Sequence, residues 1–214
     1  MTFLELVNKV LVRLREDQVA TSDETTYSTL IAEFVREALS EVEDARAWNA
    51  LRTTITVPTV SGSYSYSLTG AGASYEILYI HENTLDYDVG KAPSAQWMTH
   101  QLLSGADNAQ PQYYDINGSD DSGDPVINVY PVPDAVYSLD VAIKVKTQSA
   151  VDATVILIPT LPIILRAYAL ALDERGDDAG DTLVAIERRY ERALADATTY
   201  DAALNPDETV WYED

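Results

Sequence analysis

The sequence predicts an α+β fold. In this fold, helices from both ends of the chain form one discontinuous bundle, and an antiparallel β-sandwich or barrel-like domain is inserted between them. Up to Trp48 apolar residues recur at three- and four-residue steps, whereas from Thr53 they alternate with polar residues, as in a strand. Near Pro159 the helical period returns. The predicted boundaries are 1–52 plus 158–205 for the bundle, 53–157 for the inserted domain and 206–214 for a carboxyl-terminal tail.

The amino-terminal part carries two helical patterns separated by a short turn. Thr2 and Glu5 have the spacing of a capping box, which predicts a first helix that begins at Thr2. The second and longest helix is predicted from Ser22 to Trp48, with Thr21 and Glu24 as its capping box. Because the connecting turn is short, we expect the two helices to be antiparallel neighbours.

The middle of the chain has the composition of short antiparallel strands. Threonines, serines, tyrosines and β-branched residues alternate there, and glycines and prolines separate the runs. A short helix is predicted from Ser94 to Leu103, with Ser94 as its cap and Gly105 after its end. The predicted strands are 53–58, 64–68, 75–80, 112–116, 126–130 and 137–145.

Two further helices are predicted after Pro159. The segment from Ile163 to Leu172 is apolar on all sides, which is typical of a helix at the centre of a bundle. The segment from Asp181 to Tyr200 is amphipathic. Charges on outer helix faces are most often simply solvated, and the alternative is contact with a neighbouring subunit. The candidates for inter-subunit contact are Lys9, Arg13, Arg36, Arg188, Arg189 and Arg192.

The composition excludes several classes of function. Acidic residues number 35 and basic residues 14, which gives a formal net charge of -21. Binding of nucleic acid through its phosphates requires a basic patch, so this charge argues against it. The chain has no cysteine, which excludes disulfides, thiolate catalysis and thiolate metal sites.

Neither apolar run near a chain end predicts membrane targeting. The amino-terminal run contains Glu5 and lacks the charged start of a secretory signal. The run from Val155 to Leu172 is interrupted by Pro159, Pro162 and Arg166, so we interpret it as buried in the protein rather than in a bilayer. We expect an unprocessed cytoplasmic product that makes no contact with a membrane.

No catalytic, cofactor-binding or metal site is predicted. His81 and His100 lack metal-ligand spacing, and there is no phosphate loop, nucleophile elbow or zinc motif. The loop from Asp115 to Asp124 is rich in oxygen ligands, but Asp120 stands where a calcium loop needs glycine. A solvated hairpin is the favoured interpretation of this loop. The alternative is a calcium-assisted glycan-binding module or hydrolase built on the β domain.

The order of the predicted parts resembles a known family. The helical hairpin ending near Trp48 is followed by strands, by Tyr113-Tyr114-Asp115, by the stretch GDPVINVYPVPDAVYSLDV and by two helices. The most specific piece runs from Ile127 to Leu139 and consists of a strand, a proline corner and a second strand. This order resembles the head-to-tail adaptor (connector) proteins of tailed bacteriophages, including the podovirus type called tail tubular protein A.

The resemblance implies a non-enzymatic structural protein that forms a ring of twelve copies in the neck of the virion and is assembled in the host cytoplasm. Its implied partners are the portal protein and a tail or nozzle protein, without a cofactor. DNA would pass through the ring without sequence-specific binding, and an acidic lumen suits this because it repels phosphates. Aromatic residues are good interface anchors, so Val210, Trp211 and Tyr212 are the candidates for docking to the portal.

Overall fold

The computed structural model describes residues 1–105, 107–147, 150–176 and 181–204. Within these ranges, five helices and seven strands form the predicted α+β fold. The chain divides into two compact units, Met1–Leu51 with Ser149–Asp214, and Arg52–Gln148. The helices are α1 (Phe3–Arg13), α2 (Thr26–Asp44), α3 (Ala95–Leu103), α4 (Thr160–Arg175) and α5 (Asp181–Leu204). The strands are β1 (Arg52–Pro58), β2 (Ser65–Ser67), β3 (Tyr75–Glu82), β4 (Tyr87–Lys91), β5 (Tyr113–Ser119), β6 (Pro125–Tyr130) and β7 (Ser138–Val145).

The start of α1 is as predicted. The backbone N–H of Glu5 donates to the Thr2 hydroxyl over 3.3 Å, and the backbone N–H of Thr2 donates to the Glu5 carboxylate over 2.9 Å. These two bonds satisfy donors that the first helical turn leaves free. The local sequence therefore suffices to begin this helix.

The predicted start of α2 is wrong. Thr25, not Thr21, is the N-cap, because its hydroxyl accepts from the backbone N–H of Ser28 over 2.9 Å and the Ser28 hydroxyl accepts from the Thr25 N–H over 3.0 Å. The Glu24 carboxylate accepts instead from the backbone N–H of Ala20 over 2.6 Å. The predicted box thus stabilises the turn before the helix.

The predicted end of α2 is also too late. The helix ends at Asp44, and a short 3-10 turn, Asn49–Leu51, precedes the first strand. Trp48 lies beyond the helix and is completely buried, with its indole N–H donating to the carbonyl of Val42 over 2.7 Å. This bond fixes the chain back onto the last turn of α2.

The core of the helical unit is centred on α4. Its buried residues include Ile163, Ile164 and Ala167, and it packs against α1, α2 and α5. The segment before α4 also belongs to this core, since Ile156 and Ile158 are buried in it. Hydrogen bonds attach the same segment to the amino terminus: Phe3 N donates to the Thr154 carbonyl and Ile156 N to the Met1 carbonyl, both over 2.9 Å.

Asp201 connects the end of α5 to the turn after α2. Its carboxylate accepts from Arg46 Nε over 2.8 Å and from the backbone N–H of Asn49 over 3.2 Å. Its carbonyl accepts from the Asn49 side-chain amide over 2.9 Å. Asp201 is itself buried, so these donors replace the water that its charge loses.

The second unit is a seven-stranded sheet in the order β1-β7-β3-β4-β5-β6-β2. All neighbouring strands are antiparallel except β4 and β5, which are parallel over Gly90–Lys91 and Tyr113–Tyr114, so the sheet is mixed rather than wholly antiparallel. The chain between these strands contains α3, and a crossover of this kind is what parallel strands require. Strand β4 was not predicted because Asp88 and Gly90 are poor strand formers.

The buried carboxylate of Glu82 stabilises a turn of the sheet. Glu82 is completely buried, and its carboxylate accepts from the backbone N–H groups of Thr84 and Leu85, each over 2.7 Å, and of Ser138 over 3.2 Å. Burial raises the pKa of Glu82, but the hydrogen bonds outweigh burial and leave the pKa below its usual value. The charged carboxylate therefore holds the β3–β4 turn against the start of β7.

Asp201 offers a direct test of how the helical unit is held together. We expect Asp201→Ala to lower the free energy of unfolding by about 2 kcal/mol, because the N–H donors of Arg46 and Asn49 lose their buried acceptor. Asp196→Ala removes an exposed carboxylate from the same helix and is the matched control, with an expected change below about 0.5 kcal/mol. Chemical denaturation followed by circular dichroism measures both, and equal stabilities would contradict the role given to Asp201.

Candidate functional site

The two histidines lie on different elements of the sheet unit, His81 on β3 and His100 on α3. His81 on β3 lies between two carboxylates, with Nδ1 at 2.9 Å from Asp88 and Nε2 at 3.2 Å from Asp86. Asp140 of β7 is its cross-strand neighbour. The hydrogen bond to Asp88 is the main cause that raises the pKa of His81. His100 is exposed on α3 and contacts the Ser104 hydroxyl over 3.2 Å.

The acidic loop uses its oxygens to close its own turn. Asp120 accepts from the backbone N–H groups of Ser122 over 2.8 Å and Asp124 over 3.0 Å, and from the Ser67 hydroxyl over 2.5 Å. The bond from Ser67 is the main cause that lowers the pKa of Asp120. In the part of the chain that the structure describes, no group of three or more His, Asp or Glu side chains is placed to hold a metal ion.

Asp124, at the end of the same loop, is similarly engaged. It is buried, and its carboxylate accepts from the backbone N–H of Gly70 over 3.1 Å and of Gly72 over 2.7 Å. The loop connects the paired strands β5 and β6, and these carboxylates accept hydrogen bonds from the backbone around the hairpin.

An aromatic cluster joins α3 to the sheet. Trp97 meets Tyr113 with ring centroids 5.2 Å apart and Tyr130 with centroids 5.6 Å apart, both edge to face. The Tyr130 hydroxyl donates to Asp107 over 3.4 Å. Trp97 thus packs on both tyrosine rings, which helps to hold α3 against β5 and β6.

The structure separates the predicted inter-subunit cations into two groups. Arg36 is engaged within its own chain: it pairs with Glu33 over 2.6 Å, donates to the Ala150 carbonyl and lies 4.8 Å from the ring centre of Phe3. The other predicted cations are exposed and have no ion pair among the described residues. They are Lys9 and Arg13 on α1, and Arg188, Arg189 and Arg192 on α5.

Most cations elsewhere in the helical unit are paired with carboxylates of the same chain. The Arg166 guanidinium binds Glu41 through Nε over 2.6 Å and Nη2 over 2.9 Å, and this bond is the main cause that raises the pKa of Arg166. Arg46 pairs with Asp201, and Arg175 with Glu16. The arginines of α5 have no such partner among the described residues, and the same holds for Lys9 and Arg13 of α1.

Sequence patterns placed one acidic residue of α2 wrongly and overlooked an apolar strip. The helical period of α2 predicts Glu43 on its outer face, yet it is buried. Conversely, large apolar side chains in the segment before α4 and at the start of α4 are exposed. They are Val151, Val155, Leu157 and Leu161, which are between 51% and 63% exposed. The alternation of exposed Val155 and Leu157 with buried Ile156 and Ile158 is a strand-like signal that could have revealed the strip.

The predicted portal-docking residues lie outside the described residues. They are Val210, Trp211 and Tyr212. Among the helices that are described, none combines the length and apolarity needed to cross a membrane.

The fold defines an α+β protein whose helices carry exposed charged residues. Residues 1–209 match the family model described as SU10 adaptor protein, and the chain therefore belongs to that family. Membership supports the adaptor role indicated by the resemblance and suggests a structural rather than an enzymatic role. The narrower likeness to the podovirus type stays a prediction.

Other comparisons add little. No curated protein matches the chain. Among solved structures, a chain described as "Neck of empty GTA particle computed with C6 symmetry" is 13% identical, with 86% of this chain and 87% of that chain covered and a TM-score of 0.30. A TM-score this low does not indicate a shared function.

The His81 cluster predicts a dependence of stability on pH. The pKa of His81 is raised in the folded state, so protonated His81 contributes to the free energy of unfolding. This contribution is fully present below the pKa of the unfolded state, about 6.5, and is lost as the pH rises through the pKa of the folded state. Thermal unfolding between about pH 6 and pH 8 should show this loss in the wild type. We expect His81→Gln to remove that part of the pH dependence and His100→Gln to retain it. Parallel pH profiles for wild type and His81→Gln would contradict the assignment.

Proposed function

We propose that this chain assembles into a ring of twelve copies that joins the portal to the tail in the virion neck and forms part of the DNA conduit. Family membership over residues 1–209 is the observation that carries the proposal, because it makes the chain an adaptor along almost its whole length. The number of copies and the portal and tail partners rest on the resemblance seen in the sequence. The protein acts as a structural connector and needs no cofactor.

The charge of the chain supports a role as a conduit. With 35 acidic and 14 basic residues, a ring of copies has a strong excess of negative charge. Arg46, Arg166 and Arg175 already form ion pairs within the chain, so they are less available to bind phosphates. DNA phosphates that enter such a ring meet repulsion rather than binding sites, so the DNA moves through without being held.

The exposed cations support contact between neighbouring copies. In a protein of net charge -21, a surface that binds another copy must overcome general repulsion, and a local excess of positive charge does so. Arg188, Arg189 and Arg192 of α5 lie close together, beside Glu187 and Glu191. Lys9 and Arg13 of α1 have no acidic residue between them, and Arg36 is already engaged within its own chain.

Assembly can be tested with the purified full-length chain and the portal protein of the same phage. We expect native mass spectrometry and negative-stain microscopy of the mixture to show a twelve-copy ring attached to the portal. The chain alone serves as the control, since an adaptor can remain monomeric until the portal templates it. A chain that neither forms rings nor binds the portal at micromolar concentration would contradict the proposal.

We further propose that Val210, Trp211 and Tyr212 dock into a groove of the portal. Burial of large aromatic side chains provides much of the affinity of many interfaces. Deletion of residues 207–214 should abolish portal binding while leaving the thermal unfolding of the chain unchanged. Replacing only Asp207 and Glu208 by Ala leaves the aromatic residues in place and is the matched control. Undiminished binding by the deletion variant would rule out the docking role.

A further inference from the structure

One exposed face of α5 carries two adjacent arginines. Arg188 and Arg192 are one helical turn apart, so they lie side by side on this face. Ala185, Ala195 and Thr199 are also exposed and share the face by the same periodicity, as do Asp181 and Val184 near the start of the helix. No ion pair to either arginine is present among the described residues. The face therefore presents two adjacent positive charges on a surface that another helix can approach closely.

One exposed face of α2 has the opposite charge and the same spacing. Glu33 and Glu37 are also one helical turn apart, and both are exposed. Thr26, Thr29 and Ser40 supply the small exposed side chains of this face. Glu33 shares its charge with Arg36, which lies to one side of the face, whereas Glu37 has no such ion pair among the described residues.

The two faces belong to helices on different sides of the unit's core. Helix α4 packs against both α2 and α5, and it is buried along most of its length, which places it between them. The apolar faces of α2 and α5 turn inward, so their charged faces point away from α4. A chain with complementary surfaces at different places joins copies head to tail, and head-to-tail contacts generate rings when the rotation closes.

We propose that the Arg188–Arg192 face of α5 binds the Glu33–Glu37 face of α2 in a second copy of this chain. This inference rests on the proposed ring and names the contact that builds it. Within one chain, like charges one turn apart repel and slightly destabilise each helix. Pairing across the contact converts both repulsions into attraction. It also aligns the helices, because each positive pair has the spacing of the negative pair that it meets.

The proposed contact contributes more to the specificity of association than to its affinity. Exposed ion pairs are individually weak and are screened by salt, whereas complementary charge patterns exclude wrong orientations. In this acidic chain most other pairs of surfaces repel each other. The α5 face of one copy and the α2 face of the next are consequently favoured over self-pairing of either face.

A charge-swap experiment tests the contact. Variant A carries Arg188→Glu and Arg192→Glu, and variant B carries Glu33→Lys and Glu37→Lys. In either variant alone, the α5 face and the α2 face carry charge of the same sign. We therefore expect its self-association to fall at least about tenfold below that of wild type at low salt. A mixture of A and B is complementary at both contacts and should regain association, measured by sedimentation velocity and by pull-down of differently tagged chains.

Two controls separate this effect from damage to the fold or a change in net charge. Arg52→Glu with Lys91→Glu makes the same change of net charge at two exposed positions of the sheet unit, and we expect it to leave association unchanged. Because Glu33 also pairs with Arg36, a second form of variant B with Glu37→Lys alone keeps that ion pair. All variants should unfold at temperatures close to that of wild type.

The cysteine-free sequence allows an independent test by crosslinking. Chains with Ala195→Cys on α5 are mixed with chains carrying Ser40→Cys or Thr29→Cys on α2, and a short bismaleimide is added. We expect crosslinked heterodimers at low salt and few at high salt. Asp23→Cys, which lies before α2, is the control partner and should give little product.

The outcomes distinguish this contact from the proposed function. If rings form on the portal but A and B fail to complement each other and the α5–α2 crosslink is absent, the contact is wrong and the adaptor function stands. If complementation and crosslinking succeed but no portal binding is found, the contact stands and the portal assignment fails. Complementation and crosslinking together support the contact, and the absence of both overturns it.

Discussion

The apolar surface of α4 is the constraint on which the helical unit depends. Residues on several sides of this helix are buried, among them Ile163, Leu165 and Ala169, so a single neighbouring helix cannot cover it. Helices α1 and α2 from the start of the chain and α5 from its end provide the cover. The need to bury α4 therefore brings the two ends of the chain together and leaves the intervening residues to form a separate unit. It also orients α2 and α5, because the faces they do not use for α4 become outer faces.

Charge is the second constraint, and it acts on those outer faces. Several cations of the helical unit are used inside the chain, where Arg166 binds Glu41 and Arg46 binds Asp201. These pairs lie between elements that are distant in sequence and help to orient them. Arg188, Arg189 and Arg192 of α5 and Arg13 of α1 have no such partner in the described residues. In a strongly acidic protein, a local positive face is a specific signal for association, since most alternative contacts are repulsive.

Carboxylates in the β unit have a different task. Glu82, Asp120 and Asp124 accept hydrogen bonds from backbone N–H groups of nearby turns, which stabilises connections that contribute little to the apolar core. The acid-rich segment suggests cation binding in the sequence. In the folded protein its carboxylates are hydrogen-bond acceptors for the backbone N–H groups of turns. The same hydrogen bonds keep the pKa of Asp120 below its usual value, and in Glu82 they do so against burial, which acts to raise the pKa.

Local patterns determined much of this protein. The Thr2–Glu5 cap, the apolar period of α2, the uniform apolarity of α4 and the cap of α3 at Ser94 each depend on neighbours within one or two turns, and such signals are visible in the sequence. They were enough to predict the α+β class, whereas the adaptor family was indicated by the resemblance of the element order and of the stretch from Ile127 to Leu139. Other features depend on residues far away in the chain. Strand β4 exists because β3 and β5 pair with it, and Glu43 is buried although the helical period placed it outside. Whether an arginine pairs with a distant carboxylate, as Arg166 does with Glu41, was decided only when distant segments packed, because the two groups are far apart in the sequence.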